Sequence, residues 1–213
     1  MDEYVDILAP PLFERTGHTK PLHQAWRDGD WIGTFNLWII NACDPAAPCL
    51  IYQQRSMNSS WEPGKLDVTA GGHYSAGETV EKGLREVREE LGRDFRFDQL
   101  HYLGRKVNVS PDRQGWVRNN IVDVCMVIDN APLLDYHLEE NEVSAIFLCP
   151  IHELVRVHTI HEYKFMSVGL SADGKQLSVE VSANSFPKNW DNYHFKVAIL
   201  ALRLMRGDEY LIY

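Results

Sequence analysis

Between Val80 and Leu91 the chain carries two patterns at once, and together they restrict the fold more than any other stretch. Val80, Leu84, Val87 and Leu91 stand at i, i+4, i+7 and i+11, so on a helix they form one apolar stripe that must face a core. Glu86, Glu89 and Glu90 stand at i, i+3 and i+4 and share an arc of about 100° turned away from that stripe. The spacing predicts a helix from about Thr79 to Leu91 with an acidic ridge. Like charges this close cost a few tenths of a kcal/mol per pair on an open helix, and a divalent cation removes that cost. Hard oxygen ligands on a rigid helix suit Mg²⁺ or Mn²⁺. A solvated face, with Arg85 and Arg88 pairing the acids, is the competing reading. The lead-in LDVTAGGHYSAGE decides against it: a strand runs into Gly71-Gly72, and a glycine lets a peptide carbonyl approach an ion closely.

The rest of the chain reads as strands bounded by Gly, Pro, Asn or Asp. They are expected at Tyr4–Leu8, Ile32–Ile40, Cys49–Gln54, Leu66–Ala70, Leu100–Val109, Ile121–Ile128 and Ala145–Leu148. DPAAP after Ile40 and the Asp173-Gly174 pair look like hairpin turns, the second in a late two-stranded ribbon. Further helices are expected over His152–Val157 and Asn192–Arg206, the latter stopped by Gly207. Its residues Phe195, Ile199, Leu202 and Met205 share a face, expected to pack on the sheet or, alternatively, in a homodimer. Strands, a helix, more strands and further helices indicate an α+β sandwich with a mixed sheet.

At 213 residues and 45% apolar content, one domain over 1–213 is expected, with a ribbon and helix extension over 156–213. A formal charge of −9 argues against nucleic acid as a partner. No run approaches the roughly 20 apolar residues of a bilayer span, and MDEYVDILAPP lacks the features of a signal peptide. A cytoplasmic protein without membrane partners is expected. Cys43, Cys49, Cys125 and Cys149 form no CxxC pair and read as reduced thiols.

Taken together, GGHYSAGETVEKGLREVREELG resembles the Nudix box: a glycine, five residues, a glutamate, seven residues, then REUxEExGU with U aliphatic. Gly72, Glu78, Arg85, Glu86, Val87, Glu89, Glu90 and Gly92 match. Two positions depart: six residues separate Glu78 from Arg85, and Arg93 stands where an aliphatic residue is usual. A residue lost within a helix rotates everything before it by about 100°, so the shortening is expected near Thr79, which puts the supporting role of Glu78 in doubt. The resemblance implies a Nudix α/β/α sandwich and hydrolysis of a small-molecule diphosphate with Mg²⁺ or Mn²⁺. It implies Gly72, Glu86, Glu89 and Glu90 as metal ligands, with Arg85 holding the ridge by an ion pair and Glu89 and Glu90 serving catalysis.

Beyond the box, WEPGKLDVTAGGH and YHLEENEVSAIFLCP resemble the bacterial Nudix branch related to isopentenyl-diphosphate isomerases. Those isomerases place a cysteine before the Gly-His pair and histidines on upstream strands. Here Gly71 and Asn36 stand at those positions, and His23 and His73 alone do not rebuild such a site, so hydrolysis is preferred. An isomerase-like enzyme and a non-catalytic ligand-binding module are the alternatives. Asp123, in IVDVCMV, matches an acid of this branch and is a candidate extra ligand. Glu142 is a candidate base on a loop, and Arg55 a candidate phosphate clamp. Trp61, with Trp31 and Phe35, is a candidate for stacking on substrate.

Overall fold

The computed structural model describes residues 3–111, 115–188 and 190–213. An amino-terminal hairpin, β1 (Tyr4–Ala9) and β2 (Glu14–Pro21), leads into helix α1 (Leu22–Asp28). Four strands follow: β3 (Trp31–Asn41), β4 (Cys49–Arg55), β5 (Leu66–Asp67) and β6 (Ala70–His73). Helices α2 (Val80–Gly83) and α3 (Arg85–Leu91) then precede the long strands β7 (His101–Pro111) and β8 (Val117–Ile128). Strand β9 (Val143–Pro150), helix α4 (Ile151–Thr159), the ribbon β10 (Lys164–Ser171) and β11 (Gln176–Ser182), and helix α5 (Tyr193–Met205) complete the order.

Strand β3 organises the sheet. It pairs antiparallel with β1, β4 and β6 at successive points along its length, and parallel with β8 over ten registered positions from Trp31↔Asn119 to Ile40↔Ile128. Both faces of β3 are covered, which is why its sequence is apolar almost throughout. Trp38 and Ile40 face a core shared with Leu154 and Val157 of α4 and Val197, Ala198 and Ala201 of α5. Phe35, Leu37 and Ile39 face the other core, closed by Leu84, Val87 and Leu91. The result is the α+β sandwich expected from the order of elements.

Several boundaries differ from expectation for identifiable reasons. The strand expected over Leu66–Ala70 is two, because the Thr69 hydroxyl enters the ladder between them. It accepts the Ile39 N–H at 3.0 Å and donates to the Ile51 carbonyl. The helix expected over Thr79–Leu91 is interrupted at Leu84, where Val87 N–H bonds back only three residues to the Leu84 carbonyl at 3.2 Å. The break thus falls later than Thr79, and α3 carries all three glutamates on one continuous turn. Strand β2 and helix α1 went unanticipated because β2 lies at the sheet edge, exposed along most of its length, and shows no apolar alternation.

The late ribbon turns at Asp173-Gly174 as expected, and β10 pairs with β9 to extend the main sheet. Helix α5 packs through His194, Val197, Ala198 and Ala201, a stripe at i, i+3, i+4 and i+7; Phe195, Ile199, Leu202 and Met205 flank it, half-buried, and do not form its centre. All four cysteines are free, with Cys125 and Cys149 buried. No helix among the described residues is long and apolar enough to cross a membrane.

Candidate active site

Gly72 and helix α3 meet at closest packing. A Cβ at Gly72 would lie 2.7 Å from the Glu86 carboxyl carbon, so only glycine allows strand β6 and this side chain to share the space. The three glutamates do not stand on the helix equally. Glu89 is exposed, Glu86 half-buried, and Glu90, at the edge of the ridge nearest Val87 and Leu91, is only 5% exposed. Burial pushes the Glu90 carboxyl well above the usual carboxylate range; Glu142 and Glu86 add to this, and a hydrogen bond from the Gly71 backbone opposes it. Its Oε2 is buried without a hydrogen-bond partner among the described residues. Glu86 is also raised by burial, against the lowering effects of Arg85 and His73.

Arg85 links the ridge to the lead-in loop. Its guanidinium reaches Glu86 at 2.8 Å, Glu78 at 3.0 Å, Glu89 at 3.1 Å and Glu3 at 3.5 Å. Glu78 also accepts the Ser75 N–H at 2.8 Å, so it supports Arg85 and the glycine turn together, despite the shortened spacing. Glu3 was not foreseen. It lies 2.7 Å from His73 Nε2 and accepts the Ser75 hydroxyl at 3.0 Å, tying the amino-terminal segment to the ridge.

Do these residues fit a divalent cation? A buried carboxylate oxygen without a partner, a second carboxyl raised by burial and a glycine that admits close approach form a hard-oxygen donor set of the right chemistry. Glu86, Glu90 and the peptide carbonyls at Gly71–Gly72 are the groups that would hold it. No three histidine, cysteine, aspartate or glutamate side chains among the described residues converge on one position; Glu86 and Glu89 both pair with Arg85 Nη1, at 2.8 and 3.1 Å. Glu142 joins from a loop whose backbone is laid over the end of α3, with Glu139 N–H donating to the Glu90 carbonyl at 2.9 Å.

Asp123 does not join them. On β8 it faces the side of Ile121 and Cys125, where Arg105 donates at 2.9 Å, Tyr102 at 2.7 Å and Tyr74 at 3.2 Å. A carboxylate so fully engaged has a structural explanation without a metal.

A cleft of about 210 Å³ opens beside Gly71, Gly72 and His73. Its walls include Trp26, Trp61, Asn36, Asn108, Lys106 and Tyr193. Arg55 lines it too, with three of its five N–H donors engaged: Nε to the Trp61 carbonyl at 2.9 Å, Nη2 to Ser59 at 2.8 Å and Nη1 to Asp67 at 3.3 Å. With its guanidinium 5.0 Å from the Trp61 ring centroid, Arg55 braces the loop that presents Trp61. Phe35 reaches the cleft wall but is fully buried in the core, Trp31 packs on Phe13 at 4.9 Å, and Trp61 lines the cleft as the partly exposed aromatic of the expected set. Asn36 donates to the Tyr193 hydroxyl at 2.8 Å, and a Cβ at Gly71 would lie 2.8 Å from Asn36 Oδ1. Sequence reasoning also missed Lys106 and Tyr193; a lone lysine within the apolar alternation of β7 is the only sign of the first.

The sandwich has counterparts among known proteins. A model of the NUDIX domain matches residues 35–167. An uncharacterized Nudix hydrolase of Clostridium acetobutylicum is 27% identical over 158 residues, covering 73% of each chain. Nudix hydrolase 3 of Arabidopsis thaliana is 30% identical over 156 residues, 71% of this chain but 20% of its own length. The crystal structure of a Deinococcus radiodurans protein superimposes with a TM-score of 0.53 at 23% identity, covering 74% of this chain and 90% of that one, and shows the same fold. The chain belongs to the Nudix hydrolases, enzymes of the pyrophosphohydrolase class.

Proposed function

We propose that the chain hydrolyses a diphosphate linkage in a small molecule bound in the cleft beside Gly71–Gly72, with Mg²⁺ or Mn²⁺ held at Glu86 and Glu90. The observation that carries this reading is the Glu90 carboxylate, buried beside two further acids with one oxygen unpartnered. Such a group is costly as a carboxylate unless a cation completes it, and without one burial drives it toward the protonated form. When bound, the cation supplies charge neutralisation on the diphosphate and acidifies a water. Arg85 keeps Glu86 in register, Gly72 leaves the space clear, and Trp61 offers a ring face to the group attached to the diphosphate. Glu142, on an exposed loop against Glu90, is positioned to take a proton.

The isomerase alternative lacks support at its acid position. Gly71 has Asn36 Oδ1 at 2.8 Å and the Phe35 carbonyl at 2.9 Å from where a side chain would begin. The test is a panel of nucleoside diphosphate derivatives, dinucleotides, coenzymes and prenyl diphosphates with Mg²⁺ or Mn²⁺, for wild type and Glu90→Gln. Cation-dependent release of phosphate-bearing products by wild type, lost in the variant, is expected. No turnover of any compound, or a variant as active as wild type, overturns the proposal.

A further inference from the structure

Lys106 is an unusual lysine. Its side chain is 4% exposed, yet it lines the cleft that Gly71 and Gly72 also line. Lysine is rarely buried unless paired, and an ammonium has three N–H donors to satisfy. Among the described residues its ion pair is long, with Asp191 at 3.6 Å, beyond direct hydrogen-bond length, and the ammonium sits on the face of Tyr193, 3.6 Å from the ring centroid. Neither uses up the three donors. The nearby Arg55 is held by Asp67, Ser59 and the Trp61 carbonyl, which fix the loop that carries Trp61.

The residues that set this lysine in place come from beyond the family match, which ends at residue 167. Tyr193 opens α5, and its hydroxyl accepts hydrogen bonds from Asn36 and from the Trp38 indole, both at 2.8 Å. Asp191 is itself buried, accepts the Tyr213 hydroxyl and leaves Oδ1 without a hydrogen-bond partner among the described residues. The carboxyl-terminal segment therefore builds one wall of the cleft.

We infer that Lys106 receives a phosphate oxygen of the substrate in this cleft, and that Asp191 and Tyr193 position it to do so. This rests on the diphosphate reading and assigns a specificity-determining role to a cation outside the glutamate ridge. Several charged or titratable groups face Lys106: Asp67 at the end of β5, Asp191 before α5, and Tyr193, His194 and Lys196 on it. Burial lowers the ammonium to about 8, with Asp191 and Asp67 opposing and Lys196 assisting. Lys106 therefore loses its charge within the range of an ordinary titration.

Binding of inorganic pyrophosphate to the metal-free full chain, followed by calorimetry from about pH 6.5 to about 9.5, tests this. Lys106→Met is expected to weaken binding about tenfold or more at neutral pH, with circular dichroism confirming the fold. The wild-type advantage over Lys106→Met, which cancels the titration of pyrophosphate itself, should fade as pH rises through about 8. Lys106→Arg should keep its advantage above that pH, and Asp191→Asn should move the midpoint lower. Equal affinity for wild type and Lys106→Met, a pH-independent ratio, or an unmoved midpoint in Asp191→Asn overturns the inference. Turnover of a diphosphate by wild type alongside any of these leaves the hydrolase reading standing. Lys106-dependent pyrophosphate binding without turnover of any diphosphate does the reverse.

Discussion

Glu86 lies across the α-carbon of Gly72 so closely that a single added methyl would sit 2.7 Å from its carboxyl carbon. Gly72→Ala must therefore push Glu86 away or separate α3 from β6. The expected cost is about 1–3 kcal/mol of stability, and a loss of cation-dependent hydrolysis of about tenfold or more. Cation titrations of activity, compared with urea unfolding of the metal-free protein, measure both. Wild-type activity in the variant would mean that Glu86 is not held where hydrolysis requires it.

Glu90→Gln removes a buried carboxyl whose ionisation burial, Glu142 and Glu86 all oppose. Metal-free, the variant is expected to melt at or above the wild-type Tm, because mutual repulsion and desolvation are relieved. Mg²⁺ should raise the Tm of wild type and leave that of the variant nearly unchanged. Equal Mg²⁺-induced shifts would remove Glu90 from the ligand set.

These two residues also show what a sequence can and cannot reveal here. The arc shared by Glu86, Glu89 and Glu90 is legible because the helix period alone places them. The burial of Glu90 is not, since it depends on the 137–142 segment laid over the end of α3: His137 N–H bonds to the Leu91 carbonyl at 2.9 Å. Asp123 is visible as an acid in a strand, yet in a sheet covered on both faces nothing local tells which core an odd residue enters. Lys106 is harder still, because its meaning comes from Asp191 and Tyr193, far along the chain.

Arg55→Met should separate bracing from binding. Its guanidinium fixes Trp61 and pairs Asp67, so its removal is expected to cost about 1–3 kcal/mol. It should raise KM for a substrate that stacks on Trp61 and leave kcat within about threefold. A fall in kcat at unchanged KM would place Arg55 on the transition state instead.

His194 predicts acid sensitivity. Burial, with the charges of His158 and Lys106, lowers its pKa well below that of free histidine, and neither ring nitrogen has a hydrogen-bond partner among the described residues; burial lowers His158 as well. A histidine kept neutral by folding contributes stability that is complete above its unfolded pKa of about 6.5 and is lost as pH falls toward its folded value. Each contributes a slope of up to about 1.4 kcal/mol per pH unit in that window. Glu86 and Glu90, raised in the fold, act in the opposite sense, so the difference between variant and wild type is the quantity to read. His194→Leu should flatten the decline in stability between about pH 6.5 and 5 by one proton. An unchanged slope would show that His194 is not kept neutral.

The phenolic oxygen of Tyr193 accepts from Asn36 and Trp38 while its ring carries Lys106. Positions 36, 38 and 106 are thus joined through position 193, although the four lie on three separate elements. A chimera that took residues 35–167 from this chain and its carboxyl-terminal segment from a relative would leave two donors and a buried ammonium without their partner. On the role inferred for Lys106, transplanting substrate preference between such enzymes requires moving that segment together with the strands it completes.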